Sequence, residues 1–116
     1  MSVSETLKRQ WSVYAKGHAA RRNLFIHIVA VPVFMGGSLL AVGGAASASL
    51  PLAGLGIAAM VLSLALQGRG HRLEAVPPDP FRGPADILLR ILLEQWVTFP
   101  RYVLTGGWYR AFRAAS

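Results

Sequence analysis

The chain contains no cysteine, and it has no charged residue between Arg22 and Arg69. The absence of cysteine excludes disulfides, thiolate metal sites and cysteine nucleophiles. The absence of charge leaves an apolar run that is long enough for two passes of about 20 residues each through a bilayer. With 53% hydrophobic residues and a mean hydropathy of +0.44, the 116 residues are too apolar for an ordinary small soluble domain. The sequence therefore predicts a single all-α, integral membrane domain.

Acidic residues are also scarce, because 5 Asp and Glu stand against 12 Lys and Arg, for a net charge of +7. The basic residues flank the apolar run and are interrupted by large apolar side chains. This distribution is typical of contact with anionic headgroups rather than with nucleic acid. The turn expected between the two spans carries no charge, so we expect both termini on the cytoplasmic side of the membrane. We interpret this membrane as a bacterial inner membrane. Membrane lipids are predicted partners and nucleic acid is not.

Local signals divide the chain into helical and extended segments. Ser2 and Glu5 have the spacing of a capping box, which predicts an amphipathic helix that lies in the membrane interface. The alternative is an amphipathic helix packed on a soluble core. Four prolines between Val76 and Pro84 predict an extended linker, and the apolar face that follows predicts a helix on or in the membrane surface. The expected segments are an interfacial helix at 1–17, a first span with its polar cluster at 18–46, a second span at 50–75, the linker at 76–84 and an amphipathic helical region at 85–113.

Small residues within the spans favour close contact between helices. The first span contains Pro32, which a bilayer tolerates with a kink, and the glycine pairs 36–37 and 43–44. In the second span Gly54 and Ala58 are spaced for tight packing. The glycines also leave self-association into a homo-oligomer open.

All three histidines lie near the charged ends of the expected spans. A hairpin returns the chain to the membrane surface from which it entered, so residues before the first span and after the second face one another. His27 lies inside the apolar run, where a polar side chain is costly and usually functional. We therefore predict a metal site at one membrane surface. Its two clusters are His18, Asn23 and His27 before the hairpin and Gln67, His71 and Glu74 after it.

Each of these residues also has a simpler interpretation. A histidine at a membrane interface is often an anchor, Glu74 could pair with Arg69 or Arg72, and Asn23 and Gln67 could mark the ends of spans. His18 raises a further difficulty, because a straight helix would set it opposite His27. For His18 to join the cluster the chain must bend or break, and the adjacent Gly17 offers a place for this.

The order and spacing of these residues resemble those of a known family, the membrane-embedded 2-hydroxy fatty acid dioxygenases, which are the Mpo-like proteins of fungi and bacteria. The similarity extends from about Tyr14 to the region of Trp108. The chain departs from the pattern at 29–31, where a glycine is expected before Pro32, and at 76–78, where a proline followed by alanine is expected. Before the hairpin, the residues that carry the resemblance are His18, Asn23, His27 and Pro32, with four residues between His18 and Asn23 and three between Asn23 and His27. After the hairpin they are Gln67, Gly70-His71, Glu74 and Pro77.

The resemblance implies an enzyme that uses Fe(II) and O2 to convert a 2-hydroxy fatty acid into CO2 and the acid one carbon shorter. The substrate supplies all four electrons that O2 requires. A 2-hydroxy acid chelates a metal through its hydroxyl and carboxylate while its chain stays in lipid, so the metal is expected at the headgroup boundary. By position, His18, His27 and His71 are implied iron ligands and catalytic residues, with Glu74 a fourth ligand or a partner of one. Asn23 and Gln67 would orient ligands or bind the substrate, and its carboxylate would be held by one of Arg21, Arg22, Arg69 and Arg72.

Two interpretations of other classes stay open. A heme protein could use two of the histidines as axial ligands. A non-catalytic membrane scaffold or lipid-binding module would bind no metal. A zinc hydrolase is conceivable, but the sequence contains no separate hydrolytic motif.

Overall fold

The computed structural model describes residues 2–115, in which six α-helices and one π-helical turn account for most of the chain and no strand occurs. The predicted all-α class is confirmed. The elements are α1 (Val3–Gly17), α2 (Arg21–Ala46), α3 (Leu50–His71), α4 (Pro84–Leu93), the π turn (Glu94–Thr98), α5 (Phe99–Leu104) and α6 (Gly107–Ala114).

Helices α2 and α3 form a hairpin, and both are long and apolar enough to cross a membrane. Their contact is made by glycines: a Cβ atom at Gly37, Gly44 or Gly56 would overlap the backbone of the facing helix. The prediction that Gly54 and Ala58 mediate this packing is wrong. Both residues are exposed, and a Cβ atom at Gly54 would meet no atom within 4 Å.

The outer faces of the hairpin are apolar and exposed. In the most apolar 18-residue windows of α2 and α3, only 28% and 17% of the residues are buried. A core helix of a soluble protein would be mostly buried. The exposed side chains on these two helices include Leu39, Val42, Leu50, Leu55, Ile57, Val61 and Leu62.

Helix α1 packs across the π turn and α5, where a small aromatic core holds the charged end of the hairpin together. Tyr14, Phe99 and Tyr102 are buried there against Leu24 of α2. The Nε1 of Trp108 donates a hydrogen bond of 2.8 Å to the carbonyl of Leu24, which ties α6 to the same place. Tyr14 and Tyr102 are therefore core residues.

Residues 74–83 form neither helix nor strand, and this linker is fastened on two sides. Arg9 of α1 donates to Asp79 through Nε at 2.8 Å and Nη2 at 3.1 Å. Arg90 of α4 donates to the carbonyls of Asp79 at 2.8 Å and Pro80 at 2.9 Å. The hydrogen bond from Arg9 lowers the pKa of Asp79. We refer to residues 76–82 as the strap, because they cover the space between α1, the end of α3 and α4.

Candidate metal centre

The three histidines of the chain converge at the charged end of the hairpin. The ring centroids are 4.7 Å apart for His18 and His27, 4.8 Å for His18 and His71, and 4.9 Å for His27 and His71. The carboxylate of Glu94 joins them, with Oε2 at 3.5 Å from Nε2 of His18 and 3.8 Å from Nε2 of His27. One donor atom from each of these four residues lies within 4.8 Å of the others. We call His18, His27, His71 and Glu94 the metal centre; the group could bind a metal ion.

A break in the chain brings His18 to this position. Helix α1 ends at Gly17, His18 caps it, and α2 begins at Arg21, so His18 and His27 belong to different helices. The sequence required a bend or break only if His18 was to join the cluster and offered Gly17 as a place for it; α1 ends at that residue. His71 is the last residue of α3.

Backbone carbonyl groups fix the orientation of two of the imidazoles. Nδ1 of His18 lies 2.9 Å from the carbonyl oxygen of Tyr14, and Nδ1 of His27 lies 3.1 Å from that of Asn23. A carbonyl oxygen only accepts hydrogen bonds, so each Nδ1 acts as the donor. Nε2 is therefore the nitrogen that each ring turns toward a metal ion, which is the arrangement found in metal-binding histidines.

The inward-facing nitrogens have no other partner. Nε2 of His18, Nε2 of His27 and Nδ1 of His71 are buried and form no hydrogen bond with any of residues 2–115. Buried polar atoms without partners are rare because desolvation is costly. One proton shared between His18 and Glu94 would leave the other two nitrogens unpartnered, whereas a metal ion would satisfy all three. Three imidazoles and one carboxylate suit iron, zinc and related divalent metals.

Glu94 comes from the π turn, whose defining hydrogen bond runs from the amide of Phe99 to the carbonyl of Glu94. Such turns occur frequently at functional sites. The hydroxyl of Tyr14 donates to Oε2 of Glu94 at 2.9 Å, and the Tyr14 ring stacks on His18 with a centroid distance of 3.8 Å. Burial alone would raise the pKa of Glu94, but interaction with the imidazoles, above all His18, outweighs it and lowers the pKa to about 2. The carboxyl group is therefore ionised and available as a ligand.

Glu74 lies outside the metal centre, and its expected role as a fourth ligand requires correction. Because α3 ends at His71, Glu74 does not continue the helical face on which it was predicted. Its carboxylate instead accepts hydrogen bonds from the amides of Ala19 at 2.9 Å and Ala20 at 3.0 Å, and from Nδ2 of Asn23 at 2.6 Å. Helix α2 has no side-chain cap of its own, so Glu74 compensates its N-terminal amides and dipole.

Asn23 supports the centre from the same side. It links Glu74 to His27, because its side chain donates to the carboxylate and its carbonyl holds the imidazole. A Cβ atom at Gly70 would overlap Oδ1 of Asn23, so only glycine allows this approach of α3 to α2. The resemblance implies that Asn23 either orients a ligand or binds the substrate. The structure fits the first role, because the carbonyl of Asn23 holds His27.

Gln67 positions the π turn rather than contacting a histidine. Its amide pairs reciprocally with that of Gln95, with Nε2 to Oε1 distances of 2.8 Å in both directions, and also donates to Ser63 at 3.0 Å. Both glutamines are buried. Because Gln95 follows Glu94 directly, this pair fixes the distance between α3 and the carboxylate of the metal centre.

A cavity of about 1150 Å³ adjoins the metal centre and is bounded by α1, the end of α3, the strap, α4 and the π turn. His18, His71 and Glu94 contribute to its wall. Of the four arginines considered as carboxylate anchors, Arg72 lines the cavity, whereas Arg22 is exposed at the start of α2 and does not line it. Lys16 also lines it, and the sequence did not single it out. Arg21 is engaged elsewhere, since it donates to the carbonyls of Phe112 and Ala115.

Sequence reasoning missed Glu94 as a site residue and assigned it to the polar side of an amphipathic helix. One signal was available: it is the last acidic residue of the chain, and apart from Gln95 its near neighbours are apolar. An isolated acid in such surroundings usually has a partner.

Comparison of the chain with protein-family models, with functionally curated proteins and with solved structures found no match. The case for function therefore depends on the geometry and the sequence pattern of this chain.

Proposed function

We propose that this protein is an integral membrane, Fe(II)-dependent dioxygenase that oxidises 2-hydroxy fatty acids to CO2 and the acid one carbon shorter. The observation that carries the proposal is the set of three buried, unpartnered imidazole nitrogens that face one carboxylate beside a cavity with basic residues. The spacing of the histidines, which resembles that of the Mpo-like dioxygenases, supplies the reaction and the substrate class.

In this proposal His18, His27, His71 and Glu94 hold the metal. When bound, iron supplies a redox-active centre with coordination positions for the hydroxy acid and O2. Nitrogen and oxygen donors without thiolate fit non-heme iron. Tyr14, through its hydrogen bond to Glu94 and its stacking on His18, keeps two of the four donors in place.

The proposed reaction balances without a further reductant. R–CH(OH)–COOH and O2 give R–COOH, CO2 and H2O: the bond between the first and second carbons breaks, and the two carbons together lose the four electrons that reduce O2. No cosubstrate site is needed. The chain's own residues bind and orient the acid.

Lys16 and Arg72 are the proposed contacts for the substrate carboxylate. Both line the cavity, and neither forms an ion pair with another of residues 2–115. The other cavity arginines are committed, because Arg9 pairs with Asp79, and Arg82 and Arg90 contact Asp86. Two uncommitted cations beside an apolar space suit an amphiphilic anion.

We place the hairpin in a bacterial inner membrane with both termini in the cytoplasm. The exposed apolar faces of α2 and α3 and the absence of charge at the hairpin tip support insertion. The segments at both ends of the chain pack at the charged end of the hairpin, because α1 supplies Tyr14 to the centre and α6 contacts Leu24. The metal centre would then lie near the headgroups, where an acyl chain can stay in lipid.

The geometry argues against heme. The planes of the three imidazoles are inclined by 80° to 87° to one another, and their centroids are no more than 4.9 Å apart. This arrangement suits a single ion and leaves no planar space for a macrocycle between two of the rings. A scaffold or lipid-binding module would require neither the convergent nitrogens nor the carboxylate.

The test is to purify the protein, load Fe(II) without oxygen, add 2-hydroxypalmitate and O2, and measure pentadecanoate and O2 consumption. We expect one O2 consumed for each pentadecanoate formed, and no product from His71→Ala. Arg72→Ala should raise KM about tenfold, which is the loss of roughly 1.4 kcal/mol of carboxylate binding. Arg69→Ala is the matched control, since Arg69 is exposed near the same end of α3 but does not line the cavity. No product from the wild type, or equal product from His71→Ala, would refute the proposal.

A further inference from the structure

The cavity continues beyond the metal centre along one face of α3. Leu64, Gln67, Gly68 and His71 line it, with the three- and four-residue spacing of a single helical face. At 1.5 Å per residue, the path from His71 to Leu64 is roughly 10 Å long. It runs away from the charged end of the hairpin and toward its apolar middle. The opposite wall belongs to α4, which packs on α1 and leaves the cavity between itself and α3.

Gly68 lies in the middle of this path and has no packing role. A Cβ atom at Gly68 would meet no atom within 4 Å, in contrast to Gly70, where it would overlap Asn23. Glycine is less favourable than alanine within a helix in water. Because Gly68 has no side chain, the cavity is wider between His71 and Leu64.

The two ends of the cavity differ in character. Lys16 and Arg72 provide uncommitted positive charge near the metal centre, whereas Leu64, seven residues before His71 on α3, provides an apolar wall farther along, and Ile91 of α4 adds apolar surface to the lining. Val76 and Pro77 of the strap add apolar surface. Charge at one end and an apolar channel at the other complement a single-chain fatty acid, with its carboxylate at the histidines and its chain along α3.

We propose that Gly68 is the specificity-determining position of this site, across which the acyl chain of the substrate leaves the metal centre between α3 and α4. The identity of the ligand rests on the proposed function, but the path does not, because a fatty acid without a 2-hydroxyl group can occupy it. A larger side chain at Gly68 would obstruct the chain beyond its first carbons and leave the metal centre unchanged.

The direct test is photo-cross-linking in lipid nanodiscs, with the full chain and a palmitate that carries a diazirine in mid-chain. We expect adducts on Leu64, Ile91 and their neighbours, which excess palmitate suppresses and lysophosphatidylcholine does not. Gly68→Leu should reduce these adducts at least tenfold. Gly54→Leu is the matched control, because Gly54 is on the same helix, also faces open space and does not line the cavity. It should leave the adducts unchanged.

Turnover provides a second readout. In Gly68→Leu, the ratio of kcat/KM for 2-hydroxyoctanoate to that for 2-hydroxypalmitate should rise at least tenfold, with iron content unchanged. Gly68→Ala should fall between the wild type and leucine, and it decides the question if the leucine variant does not fold. Wild-type cross-linking in Gly68→Leu, or adducts only on the outer faces of α2 and α3, would overturn the inference. Absence of product in the wild type would instead refute the proposed reaction, while cross-linking still tests the path.

Discussion

Replacement of Glu94 by glutamine preserves the shape of the side chain and removes the only carboxylate of the metal centre. Its Oε2 lies 3.5 Å and 3.8 Å from the Nε2 atoms of His18 and His27, so it is the anionic donor of the four. Glutamine can still accept the hydrogen bond from Tyr14. The variant therefore isolates the contribution of the charge to metal binding from that of packing.

The expected loss of affinity for a divalent metal is more than 100-fold. Loss of a partner that only orients a metal ligand typically costs 10- to 100-fold. Loss of a charged ligand should exceed that range, and 100-fold corresponds to about 2.7 kcal/mol. Affinity is measured by competition with a chelating dye, and the bound metal is counted by mass spectrometry. Co(II) is a useful second probe, because its visible bands report the number of ligands.

Glu74→Gln is the matched control, since the resemblance implied Glu74 as a ligand or a partner of one and the structure sets it outside the centre. Its carboxylate caps α2 and holds Asn23, so its loss should cost about 1 kcal/mol of stability, as for other helix caps. Its effect on metal affinity should stay within about tenfold, because it reaches His27 only through Asn23. If Glu74→Gln lost metal as completely as Glu94→Gln, or if Glu94→Gln bound metal normally, the ligand set described here would be wrong.

Two other predictions concern the hairpin and the strap. Gly44→Val should destabilise the protein by about 2 kcal/mol, because a Cβ atom there overlaps the backbone of α3. Gly43 faces open space, so Gly43→Val should change thermal unfolding little. Equal effects of the two variants would contradict the described packing. For the strap, the pKa of Asp79 lies below its ordinary value of 3.8 in the folded protein because Arg9 donates to it. The contribution of ionised Asp79 to the free energy of unfolding is therefore complete above pH 3.8 and is lost as the pH falls through the lower pKa of the folded protein. Asp79→Asn should therefore speed deuterium uptake over residues 76–82 at pH 7, and the difference from the wild type should shrink at pH 3; a difference that persisted undiminished would show that the ion pair does not hold the strap.

Long-range features of the fold that depend on composition could be predicted from the sequence. The uncharged run defined the two long helices and their turn, and the return of the chain brought His71 to the level of His18 and His27. The glycine next to His18 offered a place for the break between α1 and α2, although the sequence did not specify how His18 reaches the cluster. Each of these predictions depends on periodicity or on the length of an apolar segment, which a single sequence displays directly.

Contacts between distant segments were harder to predict. Glu74 and Glu94 are both single acids near apolar helices, and nothing local distinguishes a cap from a ligand. The distinction depends on where α3 ends, and helix ends are the least certain part of a sequence-based assignment. The position of Glu94 depends further on the π turn and on the pair formed by Gln67 and Gln95, which are separated by 28 positions. Which glycines lie between the spans depends on their rotation, which the near-uniform apolar surface of α2 and α3 does not specify.

The π turn makes the fold depend on the number of residues in this segment as well as on their identity. An α-helix rotates by about 100° per residue, so removal of one residue from Glu94–Thr98 would restore regular geometry and swing everything after it by that angle. Glu94 could then point at the histidines or Tyr102 could pack against Tyr14, but not both. A single-codon deletion within residues 95–98 should thus disrupt either the centre or the aromatic core although every donor remains, and substitutions there should be far better tolerated than any change of spacing.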